Sequence, residues 1–179
     1  SAIYPKGLYV FSVQRWSFKA LQDIEKLHYS AMTLSPEEMK LDDDKAEHLI
    51  VLATTEGKPW FEALNQINLD QIVNAVNNSC IAASDEQFEI ERRDLQNMND
   101  DRIAMQIGTL TTHLTNQRNI KLEVKRRHEE LGRYSLAKAT KQQIVNLESR
   151  INRKILSIEE RKKIQSHKEE IAVGVILIK

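Results

Sequence analysis

Residues 103–158, "IAMQIGTLTTHLTNQRNIKLEVKRRHEELGRYSLAKATKQQIVNLESRINRKILSI", decide the fold. Ile103, Ile107, Leu110, Leu114, Gln117, Lys121, Val124, His128 and Leu131 recur at alternating spacings of four and three. That is a heptad seam with three polar entries. After "GRYS" (132–135), Ala137, Thr140, Ile144, Leu147, Ile151, Ile155 and Ile158 make a second seam. If the chain reverses at 132–135, antiparallel partners must have residue numbers of constant sum. Leu131 with Ala137, His128 with Thr140, Val124 with Ile144, Lys121 with Leu147, Gln117 with Ile151 and Leu110 with Ile158 meet that condition, and Leu114 with Ile155 misses by one. Two separately read heptads that keep one register predict an antiparallel coiled-coil hairpin. At about 1.5 Å per residue, roughly 30 paired positions give a finger of about 45 to 50 Å.

Such a finger cannot bury its own base. The second arm leads into "HKEEIAVGVILIK" (167–179), where Ile and Val dominate from Ile171 to Ile178, as expected of a strand. Its partners lie at the other end of the chain. "GLYVFSVQRWSFKA" (7–20) alternates Tyr9, Phe11 and Val13 on one face, whereas Trp16 and Phe18 fall on the opposite parity. That requires either a bulge near Gln14 or a strand covered on both faces. "KLHYSAMTL" (26–34) supplies a second strand, and "DDDKAEHLIVLATTEGKP" (42–59) a short amphipathic helix stopped by Gly57 and Pro59. From Leu69 the apolar spacing is helical, and Ser84, followed by acidic residues, marks a candidate break into two helices. The expected fold class is therefore α+β, a small antiparallel sheet base with a long projecting antiparallel coiled-coil helical hairpin. The expected divisions are a base over 1–100, with strands near 8–18 and 26–34, a helix near 43–56 and a helix from 69; the hairpin over 101–168; and a closing strand over 169–179.

The composition of the 179 residues, 41% hydrophobic and 29% charged with 5 Gly and 3 Pro, fits one helix-rich globular domain. No run reaches 18 apolar residues and no signal peptide opens the chain, which argues against a membrane partner or Sec export. A single cysteine, Cys80, cannot form an internal disulfide, so a cytoplasmic location is expected. The opening Ser1-Ala2 reads as a cloning remnant, and the chain as part of a longer protein.

Little in the sequence carries chemistry. "EGKPW" (56–60) lacks the earlier glycine and the following Ser or Thr of a phosphate-binding loop. "CIAASDEQF" (80–88) resembles a strand ending in an Asp-Glu box, but helical periodicity runs through it. His28, His48, His113, His128 and His167 show no ligand spacing with each other or with Cys80. Asn77-Asn78-Ser79 is a glycosylation sequon without meaning in a cytoplasmic helix. No catalytic residue, no metal ligand and no cofactor-binding residue is expected in this chain.

Charge is the remaining signal. Residues 1–117 hold 10 Lys and Arg against 18 Asp and Glu, and residues 118–168 hold 15 against 6. Near the reversal, Arg118, Lys125, Arg126, Arg127, Arg133, Lys138 and Lys141 lie off the seam, opposed by Glu123, Glu129 and Glu130. A cationic finger tip can neutralise phosphates, and a solvated helix face is the plainer reading of the same residues. Tyr134 is the one aromatic nearby, so the stacking signature of single-strand binders is missing.

A small strand-bearing base, a long helix, the charged reversal "KRRHEELGRYSLAKATKQQ" (125–143), the second helix "VNLESRINRKILSIEERKK" (145–163) and the closing "EIAVGVILIK" (170–179) together resemble the extreme C-terminal region of bacterial Swi/Snf-type helicase-like ATPases, including the RNA polymerase-associated kind. The resemblance covers mainly residues 85–179. It implies a parent with two RecA-like lobes upstream that translocate on duplex nucleic acid using ATP, with this chain as a non-catalytic accessory module. The implied partners of the finger are nucleic acid, those lobes or another protein. The rival expectation is a coiled-coil protein-protein interaction domain that binds no nucleic acid. Because Gln117, Lys121 and His128 each face a partner in the other arm, the hairpin is expected to be intramolecular and the isolated domain monomeric.

Overall fold

The computed structural model describes residues 4–34 and 39–179, with the side chain of residue 64 left aside; the reading of Ser1-Ala2 lies outside the described residues. The fold is α+β. Strands β1 (Gly7–Lys19), β2 (Ile24–Thr33) and β3 (Gln165–Ile178) form a sheet in the order β2-β1-β3. Helices α1 (Asp43–Glu56), α2 (Ala63–Gln66) and α3 (Leu69–Ala75) follow β2. A π-helical stretch over Val76–Ile81 then joins α3 to α4 (Ala82–Glu130), and α5 (Tyr134–Glu159) precedes β3. Among the described residues no helix is long and apolar enough to cross a membrane.

The chain divides into two compact units. The first holds the sheet, α1 to α3 and the start of α4, and the second holds residues 19–22 and 94–164. In the first unit β1 pairs with β2 in one unbroken antiparallel register from Tyr9–Thr33 to Phe18–Ile24. There is no bulge near Gln14, so the change of parity at Trp16 comes from a strand covered on both faces. Tyr9, Phe11, Ala31, Tyr29, Ile176 and Ile178 pack with Ala46 and Leu49 of α1. Val10, Met32 and Val175 pack on the other face with Ile72, Val76 and Cys80. Further along that face Trp16 and Phe18 meet Phe88 of α4, with ring centroids 5.3 and 5.1 Å away.

The expected helix break at Ser84 is absent. Its buried hydroxyl donates to the Cys80 carbonyl at 2.8 Å, a bond back into the preceding turn that leaves the helix continuous from Leu69 to Glu130. The π-helical widening, not a cap, takes up the irregularity, and it sets Cys80 against the sheet with its Sγ 3.9 Å from the Val10 carbonyl.

β3 begins at Gln165, earlier than the apolar run alone implies. Its side chains also change parity. Arg15 pairs with Glu169, and Lys168 lies on the opposite face, 5.6 Å over Phe88 and 2.6 Å from Asp85. Beyond that point Val175 joins the face of Val10, and Ile176 the face of Tyr9. An alternating strand keeps one parity throughout, so β3 holds one extra residue, a bulge, between Glu169 and Gly174. A Cβ on Gly174 would come within 2.7 Å of the Phe11 ring, which explains a glycine inside a strand.

In the second unit α4 and α5 run antiparallel. The reversal is a Schellman turn: Arg133 N–H donates to the His128 carbonyl at 2.7 Å, and Gly132 N–H to Glu129 at 3.0 Å. Gly132 has φ +67°, a conformation that penalises residues with a Cβ. On α5, Ala137, Thr140, Ile144, Leu147, Ile151 and Ile158 are buried, and Ile155 is half-buried. On α4 the seam departs from the expected one. Val124 and Leu131 are exposed, at 39% and 65%, while the Lys125 stem is half-buried beside Lys121 and His128.

Candidate nucleic-acid interface

The seven basic residues near the reversal do not behave as one group. Arg118 reaches across the hairpin to Glu148 at 3.1 Å, beside a Lys121 Nζ to Gln143 Oε1 hydrogen bond of 2.9 Å. Both link the arms. Lys125 is half-buried and pairs with Glu129 one turn on at 2.9 Å. It is therefore less open to a phosphate than the exposed cations nearby. Arg126 bonds Glu123 at 2.9 Å and lies 3.7 Å from Glu130, while Arg127 Nε lies 3.4 Å from the same Glu123. The Arg126 hydrogen bond, aided by the charge of Arg127, holds the Glu123 carboxyl below the usual carboxylate range. Glu123 thus shares its charge between two of the cations that the sequence offers for phosphate.

Arg133, Lys138 and Lys141 differ. All three are exposed, and none meets a carboxylate among the described residues. They flank the start of α5, whose first residue follows Arg133 with no side chain capping the helix. Unsatisfied N–H groups and the positive end of the helix dipole therefore add to three unpaired cations.

The same region carries apolar surface that the heptad reading hid. Leu131, Tyr134 and Leu136 are 65%, 72% and 47% exposed. Spacing places Leu131 in the seam, but it sits in the Schellman turn and is left largely in solvent.

Two further polar residues fix the far end of the hairpin, and periodicity gave no signal for them. Asn99, 4% exposed, accepts from the Leu21 N–H at 3.0 Å and donates to the carbonyls of Arg161 and Lys162, both at 2.9 Å. Gln96 donates to Lys162 at 2.8 Å and accepts from Ile164 N–H at 3.1 Å. Together they satisfy backbone groups just past α5 that lack helical partners. At the tip end, His128 Nδ1 is buried with no hydrogen-bond partner among the described residues.

Among the described residues no cluster of three His, Cys, Asp or Glu side chains is placed to hold a metal ion. No protein-family model, curated protein or solved structure matches the chain.

Proposed function

We propose that this chain is a non-catalytic accessory module of a cytoplasmic, helicase-like, nucleic-acid-dependent ATPase, and that its coiled-coil hairpin contacts nucleic acid at the tip. The observation that carries the contact is the exposed trio Arg133, Lys138 and Lys141, without carboxylate partners among the described residues, at the uncapped start of α5. Cations already held by carboxylates must give up those bonds before they neutralise phosphate, whereas these three need not. The ATPase parent rests on the sequence resemblance alone. Its direct check is the gene upstream of Ser1, where a phosphate-binding loop and an Asp-Glu box should be encoded.

The contact is tested by fluorescence anisotropy with labelled duplex DNA and duplex RNA across a salt series. Wild-type affinity should fall as salt rises, with a slope of about 0.9 per phosphate neutralised on duplex DNA. Reversing Arg133, Lys138 and Lys141 to Glu should abolish binding, while Arg126→Glu with Arg127→Glu should weaken it less. A wild-type chain that ignores both duplexes at low salt would refute the contact. In that event the exposed Leu131, Tyr134 and Leu136 favour a coiled-coil protein-protein interaction domain with an apolar centre and a basic rim.

A further inference from the structure

The two edges of the sheet are treated differently. β2 is covered at its outer edge by the chain that follows it: Met32 bridges Lys40, Thr33 N–H donates to the Met39 carbonyl at 3.0 Å, and Leu41 N–H donates to Ala31 at 2.9 Å. The β2 segment also carries Glu25 and Lys26, charges of the kind that discourage a further strand. β3 is the opposite edge, and nothing comparable covers it among the described residues. From Ile171 to Ile178 it has neither a charge nor a proline. Ile171, Val173 and Leu177 are 50%, 49% and 38% exposed. Alongside residues 175–179 runs an open cleft of about 730 Å³, whose other wall is Leu49, Leu52 and Ala53 of α1 with Pro59 and Trp60.

An uncovered apolar edge beside an open cleft is a template for one more strand. The charges that bracket the run identify the strand. Glu169 and Glu170 stand before it and Lys179 after it, so the edge is complementary to an antiparallel copy of itself. We propose that the β3 edge is the interface of a twofold dimer of this chain, with antiparallel β3 strands joining the two sheets. A twofold axis normal to the sheet must keep each residue opposite one on the same face, and the bulge adds one residue to the count between Glu169 and Gly174. Centred on Val175, the pairing sets Gly174 against Ile176 of the second copy and brings Lys179 opposite its Glu170. Shifting the centre to Gly174 brings Lys179 opposite Lys168 and forfeits that charge match. The dimer replaces the monomer expected from the hairpin seam, which concerns different residues and stays intramolecular.

The test is sedimentation of the whole chain over a concentration series. The wild type should form a dimer and nothing larger, because an isologous interface closes on itself. Val173→Lys, at a half-exposed site, should leave a folded monomer, judged by circular dichroism. Ile171→Lys provides a second variant with the same expected loss. Lys179→Glu should weaken the dimer, and adding Glu170→Lys should restore it, a rescue that apolar clustering alone would not produce. A wild type that stays monomeric at its highest soluble concentration would overturn the proposal. So would open-ended assemblies, a dimer that survives Val173→Lys, or a missing charge-swap rescue. Protection of the outward β3 amides from hydrogen exchange in a monomer would assign the edge to another segment of the chain and equally overturn it.

Discussion

His28 is 6% exposed, stacked 4.1 Å from the Trp16 ring, with its Nδ1 3.7 Å from Asp43. Burial pushes the imidazole below its ordinary 6.5; the Asp43 carboxylate pulls the other way, and Lys26 and Lys40 add to the lowering. Burial prevails because a desolvated imidazolium loses more hydration than a mostly exposed carboxylate returns. In the unfolded chain the same histidine takes up its proton near 6.5, so between that pH and the lower folded value the unfolded state binds more protons. Stability from this group is complete above about pH 6.5 and is lost as pH falls toward the folded value. The imidazole titration followed by NMR should give a midpoint below 6.5, and His28→Gln should flatten the part of the pH-stability curve that lies there. A midpoint above 6.5 would mean that Asp43 dominates. None of this was legible in the sequence, where His28 is one of five scattered histidines; the environment comes from Trp16 two strand positions away on the neighbouring chain segment.

At the scale of elements, periodicity located the two arms and the reversal, because each arm buries a stripe that recurs every three or four residues. It failed where a local device overrides the period. Spacing places Val124 in the seam, yet it is 39% exposed, whereas its neighbour Lys125 is half-buried with its ammonium held by Glu129. Leu147→Ala, at 7% exposure, should therefore cost about 2 to 5 kcal/mol in a denaturant melt. Val124→Ala should stay within about 0.5 kcal/mol, since it removes little buried area and improves helix propensity. Equal losses at the two sites would restore Val124 to the seam that the spacing predicts. Strand β3 teaches the same lesson. Its apolar run announced a strand, but the bulge before Gly174 decides which side chains enter the core: Val175 packs against Val10 and Met32 while Val173 stays half-exposed. The two valines were interchangeable in the sequence and are not in the fold.

The whole chain is built from two units with different kinds of order, and a change in one can be designed to spare the other. The hairpin is repetitive: α5 buries residues at heptad spacing against α4, so removing equal turns from both arms keeps the spacing of the remaining layers. Deleting 111–117 from α4 together with 151–157 from α5 takes out one heptad on each side at the same level. The shortened chain should fold, keep the Schellman turn at Gly132, and hold Arg133, Lys138 and Lys141 as before. Its salt-dependent affinity for duplex should match the wild type, because the phosphate-neutralising charges are untouched. Deleting 111–117 alone moves every layer between there and α3 by seven residues relative to α5. Ile103 then sits one heptad nearer the tip, and Asn99 loses its place under Arg161 and Lys162. That variant should melt at lower denaturant and expose amides along α5 in hydrogen exchange. If the one-arm deletion proved as stable as the two-arm deletion, the arms would not be held by layer-to-layer register, and the seam would be a loose apolar contact.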